Sequence, residues 1–191
     1  MPILGTVASQ FSGKPFSSYE SISTVTVGSP VATVSFTSIP ATYTHLQVRL
    51  IAKSTETLYN QSDAITFYFN ADTTYTNYRS HWLRGNGASA SASQIQSSGY
   101  NIYTGTIASG HSSQASMFGA QIIDILDYAN TNKYKTVRTL DGDDLNSAEG
   151  LVGLYSGLWM STSAVSGLTF QVTNGANFAQ YSQFALYGIK S

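Results

Sequence analysis

The carboxylates best placed for chemistry lie in one short segment. Asp141, Asp143 and Asp144 fall within four residues of one another, and several carboxylate oxygens on one turn are ligands that calcium prefers. A twelve-residue calcium loop counted from Asp141 requires glycine and glutamate at positions where the chain has Asn146 and Val152. We therefore expect a solvated hairpin turn here in preference to a cation site.

A second pair of carboxylates, Asp124 and Asp127, ends an apolar segment. Two carboxylates that share a proton can act as acid and base. On a strand, however, residues three apart point to opposite faces. We expect Asp124 to pair with a Lys or Arg at a strand end, and Asp127 to accept backbone hydrogen bonds in the following turn.

The three histidines offer no metal site by their spacing. His45, His81 and His111 lie far apart, and none has a second ligand two residues away on the same strand face. No nucleophile elbow, phosphate-binding loop or dinucleotide-binding motif follows a predicted strand. The sequence predicts no catalytic residue, no metal and no cofactor, and we expect that the protein is not an enzyme.

Aromatic residues are candidates for binding instead. The chain has 13 tyrosines and two tryptophans, and such side chains are common in interfaces and sugar sites. Tyr75, Tyr78 and Trp82 lie close together among asparagines, where they could form a stacking platform for a glycan or a subunit. The alternative is core packing and strand pairing, where aromatics are also common.

The charge of the chain is low and balanced. Charged residues make up 10% of the sequence, with nine basic and ten acidic, against about 25% in soluble globular proteins. A sparsely charged surface suits a protein packed against others, although a monomer hydrated by hydroxyl groups is the alternative. Nothing resembles a basic stripe for phosphates, so we expect no nucleic-acid partner.

One small basic group could contact a neighbouring subunit. Lys133, Lys135 and Arg138 cluster just beyond a predicted turn, where they could meet acidic groups of another subunit. A solvated loop is the commoner situation for such charges.

The elements that would position these residues are short strands. His45–Ala52 alternates Leu46, Val48 and Leu50 with polar residues, the pattern of a half-buried antiparallel strand. About ten such segments predict an all-β fold, a two-sheet antiparallel β-sandwich and specifically a jelly roll. The other segments are Tyr19–Val27 and Val31–Phe36, paired as a hairpin, then 65–69, 77–83, Met117–Leu126 (buried on both faces), 135–140, 151–160, 165–172 and 184–189, with 85–99 as a long exposed loop.

Residues 1–18 are predicted to form an extended arm before a sandwich domain of residues 19–191. Their apolar residues Ile3, Leu4, Val7 and Phe11 would dock on a neighbouring subunit. The alternative is a terminus without a role. No uncharged apolar run approaches about 18 residues and the opening lacks a basic segment, so we expect neither a membrane partner nor a signal peptide.

Four segments resemble a known family. They read SIPATYTHLQVR (38–49), DILDYANTNKYKTVR (124–138), SGLWMSTSAV (156–165) and YSQFALYGIK (181–190). These segments, and the opening MPILGTVAS, resemble small structural proteins of tailed bacteriophages that infect cyanobacteria and marine bacteria. The resemblance implies a virion protein on the particle exterior, made in the host cytoplasm, with no catalytic residues.

The resemblance and the composition together predict a capsid decoration or cement protein. Its partners would be the major capsid protein or other virion proteins, and analogy with other jelly-roll virion proteins suggests a homotrimer. The alternative is a tail-fibre or receptor-binding protein that recognises host polysaccharide through exposed Tyr and Trp side chains.

Overall fold

Alternating polar and apolar residues form strands along most of the chain. The structure, a computed structural model, describes residues 18–57, 62–96, 101–112, 116–145 and 150–190. Within these ranges it has twelve strands and one 3₁₀ turn, Tyr75–Asn77. The strands are β1 (Tyr19–Thr26), β2 (Thr33–Phe36), β3 (His45–Ala52), β4 (Ser62–Phe69), β5 (Tyr78–Gly85), β6 (Ala90–Gln96), β7 (Ile102–Ala108), β8 (Gly119–Leu126), β9 (Lys135–Asp144), β10 (Gly150–Trp159), β11 (Leu168–Val172) and β12 (Gln183–Ile189).

The strands form two antiparallel sheets, which confirms the predicted β-sandwich. The large sheet has eight strands in the order β1-β12-β3-β8-β9-β10-β5-β6, and the small sheet has four in the order β2-β11-β4-β7. The predicted hairpin between the first two strands is wrong. β1 pairs with β12 and β2 pairs with β11, because the short link at Gly28–Pro30 carries the chain from one sheet to the other.

Aromatic side chains fill the space between the sheets. Phe67 lies 5.0 Å from Phe69 and 5.1 Å from Phe170, measured between ring centroids, and Phe170 lies 5.4 Å from Phe184. Edge-to-face and tilted contacts at these distances are favourable. Full burial of each such ring contributes about 1.5–3 kcal/mol, so this aromatic layer holds the two sheets together.

Three segments depart from the predicted strand pattern. The predicted loop at 85–99 contains β6, whose small Ala and Ser residues pair with β5 at the edge of the large sheet. β7 has no counterpart in the sequence prediction. β9 extends through Asp144, so the predicted turn at Asp141–Asp144 is wrong.

Candidate assembly surface

Aliphatic side chains form a straight row on the solvent-facing side of the large sheet. Ile122 on β8 is in register with Leu140 on β9, Leu140 with Leu154 on β10, and Leu154 with Leu83 on β5. Between 44% and 54% of each side chain is exposed. Ala92 on β6 continues the row beyond Leu83.

A second apolar row runs beside the first, two residues along each strand. Ile51 on β3 and Val152 on β10 are its large members, and they are 54% and 58% exposed. Small residues lie between and beyond them. In register, the row is Ile51, Ala120, Gly142, Val152, Gly85 and Ala90. We call the two rows together the aliphatic face.

The aliphatic face exists because several strands carry apolar residues at odd and even positions. In β8, Ile123 and Ile125 point into the core and are fully buried, while Ile122 points outward. The prediction that Met117–Leu126 is buried on both faces is therefore wrong, because the second sheet covers only one side. Single exposed aliphatic residues are ordinary, but a contiguous set indicates a binding surface.

A polar row borders the aliphatic face and is close to neutral. The Arg138 guanidinium lies 3.3 Å from the Asp124 carboxylate, which confirms the predicted ion pair of Asp124. The Gln47 amide donates a 2.8 Å hydrogen bond to the same carboxylate. Ser156 and His81 continue this row on β10 and β5.

A shallow depression lies where the polar row meets the aliphatic face. Its volume is about 290 Å³, and it is bounded by His81, Leu83, Arg138 and Leu154 among others. A depression of this size can accept one or two aliphatic side chains of a partner. A protruding side chain of a partner protein would therefore pack here.

The structure does not bring the predicted aromatic platform together. Tyr78 is only 1% exposed, its hydroxyl donates to the Asp72 carbonyl, and burial raises its pKa. Tyr75 lies on the exposed 3₁₀ turn, and Trp82 is half-buried beneath the Arg84 guanidinium, 4.3 Å from the ring centroid. The inclusion of Tyr78 in an exposed platform is therefore wrong, because its ring belongs to the core.

The predicted basic trio separates into three roles. Lys135 is fully buried and its ammonium donates to the carbonyls of Asn130, Lys133 and Thr162, so burial lowers its pKa. Lys133 lies 2.7 Å from the Asp127 carboxylate. Only Lys133 and Arg138 remain available to another subunit, and the assignment of Lys135 to an inter-subunit contact is wrong. The predicted arm contacts Ile3, Leu4, Val7 and Phe11 lie outside the described residues.

A buried carboxylate pair lies inside the sandwich. Asp141 and Asp143 point inward from β9 and are 3% and 7% exposed. The Thr106 amide donates a 2.7 Å hydrogen bond to Asp141. Gly105 has φ +121°, and a Cβ there would lie 2.2 Å from Asp141 Oδ2, so glycine is needed for this close approach.

Burial makes Asp141 a weaker acid than an exposed aspartate. It raises the pKa of Asp141 to about 6, and the neighbouring Asp143 charge adds to this effect. Burial also raises the pKa of Asp143, which lines an open groove of about 550 Å³ with Phe118, Asp144 and Leu151. Across the described ranges, no group of three or more His, Cys, Asp or Glu is placed to hold a metal ion.

Sequence reasoning missed the aliphatic face, although a signal was present. Apolar residues at both alternating positions of β8, together with Leu140, Val152 and Leu154, showed that these strands are apolar on two sides. That pattern does not reveal which side the second sheet covers.

Comparison with known proteins identifies no relative of this chain. No protein-family model, curated protein or solved structure matches the chain. In the part of the chain that the structure describes, no helix is long and apolar enough to span a membrane.

Proposed function

We propose that this protein is a structural component of a tailed-phage virion, acting as a capsid decoration or cement protein on the head exterior. It would bind the major capsid protein or other virion proteins and stabilise the shell. The observation that carries the proposal is the aliphatic face, which a working assembly must cover.

The energetic argument concerns solubility. Six aliphatic side chains, each about half exposed, lie side by side on the aliphatic face. Soluble monomers rarely expose contiguous apolar patches larger than a few hundred Å². A chain with 10% charged residues and a net charge of −1 has little electrostatic repulsion to keep copies apart. Burying the aliphatic face against other subunits removes this liability and provides adhesion.

The strand order supports a jelly roll. The layer β1-β12-β3-β8 faces the layer β2-β11-β4-β7. Along the chain these eight strands cross between the layers at every step except from β4 to β7, which pair in the small sheet, as in a jelly roll of two Greek keys. Hairpins β5-β6 and β9-β10 extend the large sheet. Viral capsid domains and lectins commonly use this architecture, and the analogy supports a virion role without specifying the binding surface.

Binding to particles tests the proposal. Phage heads that lack the protein are incubated with the purified full chain and sedimented, and we expect the chain to pellet with the heads and to raise the temperature at which they release DNA. A chain that stays in the supernatant, with heads no more stable than before, would contradict the proposal. Heads without added protein provide the baseline.

A second candidate is a tail-fibre or receptor-binding protein for host polysaccharide. The observation that favours it is the open groove of about 550 Å³, in which Phe118 lies beside Asp143 and Asp144. An aromatic ring and carboxylates suit sugar stacking and hydroxyl donors. Binding on a glycan array that is lost in Phe118→Ala and kept in Trp82→Ala would favour this function and locate it in the groove.

A further inference from the structure

We infer that the aliphatic face binds the same face of a second copy of this chain, about a two-fold axis parallel to the strands and between β9 and β10. The inference rests on the proposed function to the extent that both require this face to be covered. It goes further because it names the occupant and the geometry, a two-fold dimer in place of the homotrimer that analogy with other jelly-roll virion proteins suggests.

The order of the strands makes the aliphatic face symmetric about that axis. Along the sheet, β3, β8 and β9 lie on one side and β10, β5 and β6 on the other, and β12 and β1 continue the sheet beyond β3, outside the aliphatic face. A two-fold rotation therefore stacks β9 on β10, β8 on β5 and β3 on β6 of the second copy. A two-fold interface must be self-complementary in this way.

The first apolar row matches itself under this rotation. Leu140 comes to lie over Leu154 of the second copy, because both stand in the same row on β9 and β10. Ile122 comes to lie over Leu83 of the second copy, because β8 and β5 are equally far from the axis. The four central contacts are thus aliphatic against aliphatic.

The second row alternates in size so that large residues meet small ones. Val152 is in register with Gly142 across β9 and β10, so Val152 of one copy lies over Gly142 of the other. In the same way Ile51 lies over Ala90, which is exposed at the sheet edge. Facing sheets pack about 10 Å apart with interlocking side chains, and this large-to-small pairing is what such packing requires.

The charges of the polar row are also compatible with a second copy. Asp124 on β8 comes to lie opposite His81 on β5, and Arg138 on β9 opposite Ser156 on β10. No like charges meet in these pairs. The polar row is neutralised by the Arg138–Asp124 ion pair, and the exposed Arg49, which is in register with Ile122 at the β3 end of the first row, comes to lie over Ala92 of the second copy, where it meets no like charge.

The aliphatic face is long enough to form the centre of a dimer interface. Its rows cross six strands, and at about 4.8 Å per strand this is about 24 Å. The two apolar rows and the polar row span about 14 Å along the strands, so the matched rows form the centre of an interface, and a standard stable interface of about 800 Å² per copy also includes the sheet around them.

Sedimentation velocity on the full chain tests the inference. We expect the wild type to be a dimer at micromolar concentration, and Leu154→Asp to dissociate about 100-fold more readily, because it places a charge at the centre of the face. The matched control is Thr33→Asp, which places the same charge on an exposed position of the small sheet and should leave the dimer unchanged. Circular dichroism establishes that each variant is folded.

A second variant tests the axis without touching the apolar core of the interface. In the dimer, the carboxylate introduced by His81→Asp on one copy would face the Asp124 carboxylate of the other copy. This repulsion should weaken the dimer about 10-fold in low salt. His81→Lys should not weaken it. If both substitutions leave the dimer unchanged, the proposed axis is wrong.

The same samples separate this inference from the proposed function. A wild-type monomer, a trimer, or a dimer that Leu154→Asp leaves intact would overturn the inference. If the wild-type chain gives one of these results and still pellets with phage heads, the proposed function stands and the aliphatic face has a different partner. A dimer that Leu154→Asp disrupts but that never pellets with heads would support the inference and contradict the proposed function.

Discussion

Leu140 of β9 lies directly opposite Leu154 of β10 on the solvent-facing side of the large sheet, and about half of each side chain is exposed. The row continues on both sides of this pair, because Ile122 of β8 lies opposite Leu140 and Leu83 of β5 lies opposite Leu154. Each cross-strand aliphatic pair stabilises a sheet by only about 0.2–1 kcal/mol. This gain in stability does not account for four aliphatic side chains standing side by side in solvent, because contiguous exposed apolar residues promote association. Their arrangement is better explained by a surface that a partner covers.

The buried carboxylate of Asp141 should make stability depend on pH. Because burial raises its pKa from 3.8 to about 6, the folded protein keeps this proton at a higher pH than the unfolded chain. The contribution is complete below pH about 4 and is lost as the pH rises through about 6, which costs about 3 kcal/mol.

Urea unfolding of Asp141→Asn between pH 4 and 7.5 measures this cost. The variant cannot ionise, so its free energy of unfolding should gain about 3 kcal/mol relative to wild type over this range. Asp144→Asn, on the exposed face of the same strand, is the control and should follow wild type. Parallel curves for wild type and Asp141→Asn would show that Asp141 does not hold its proton in the folded state.

Lys135 is expected to be structural. Its ammonium donates to three backbone carbonyls around the turn after β8, and Lys135→Met would leave these acceptors without their donor. The expected loss in the free energy of unfolding is about 2–4 kcal/mol. Lys133→Met removes only a partly exposed ion pair and should cost below about 1 kcal/mol. Equal, small losses in both variants would show that the buried ammonium contributes nothing.

Gly188 in β12 should tolerate no side chain. A Cβ at this position would lie 2.3 Å from the ring of Tyr43, whereas a Cβ at Gly28 would meet nothing within 4 Å. Gly188→Ala should therefore lower the free energy of unfolding by about 1–3 kcal/mol, and Gly28→Ala should change it by less than about 0.5 kcal/mol. Thermal unfolding of both variants measures the difference, and a neutral Gly188→Ala would mean that the Tyr43 ring moves aside freely.

The sequence was sufficient for strands whose alternation is uninterrupted. His45–Ala52 is predicted to the residue because Leu46, Val48 and Leu50 alternate with polar residues along most of its length. β9 is predicted only to Leu140, because the next inward positions are Asp141 and Asp143. Inward carboxylates reverse the pattern on which a sequence prediction depends, and their burial is established only by the strands packed around them.

Strand partners and covered faces were beyond sequence reasoning for a different reason. β1 pairs with β12 from the far end of the chain, and nothing in residues 19–36 specifies that partner. β6 has small residues without an apolar period, and its backbone pairing to β5 defines it as a strand. The aliphatic face is likewise defined by the position of the small sheet, which leaves one of two apolar surfaces uncovered.

The most direct test of the central claim is site-specific cross-linking across the proposed axis. The chain contains no cysteine, so Ile122→Cys and Leu83→Cys each introduce one unique thiol, on strands about 7 Å to either side of the proposed axis. Because facing sheets are about 10 Å apart, beyond the reach of a disulfide, a short bis-maleimide is the appropriate reagent. An equimolar mixture of the two variants should give a cross-linked dimer, because the two thiols face each other in the mixed dimers. Each variant alone should give little, because its two thiols lie on opposite sides of the axis, about 17 Å apart. Equal yields in the mixture and in the single variants, or no dimer in any of them, would contradict the account.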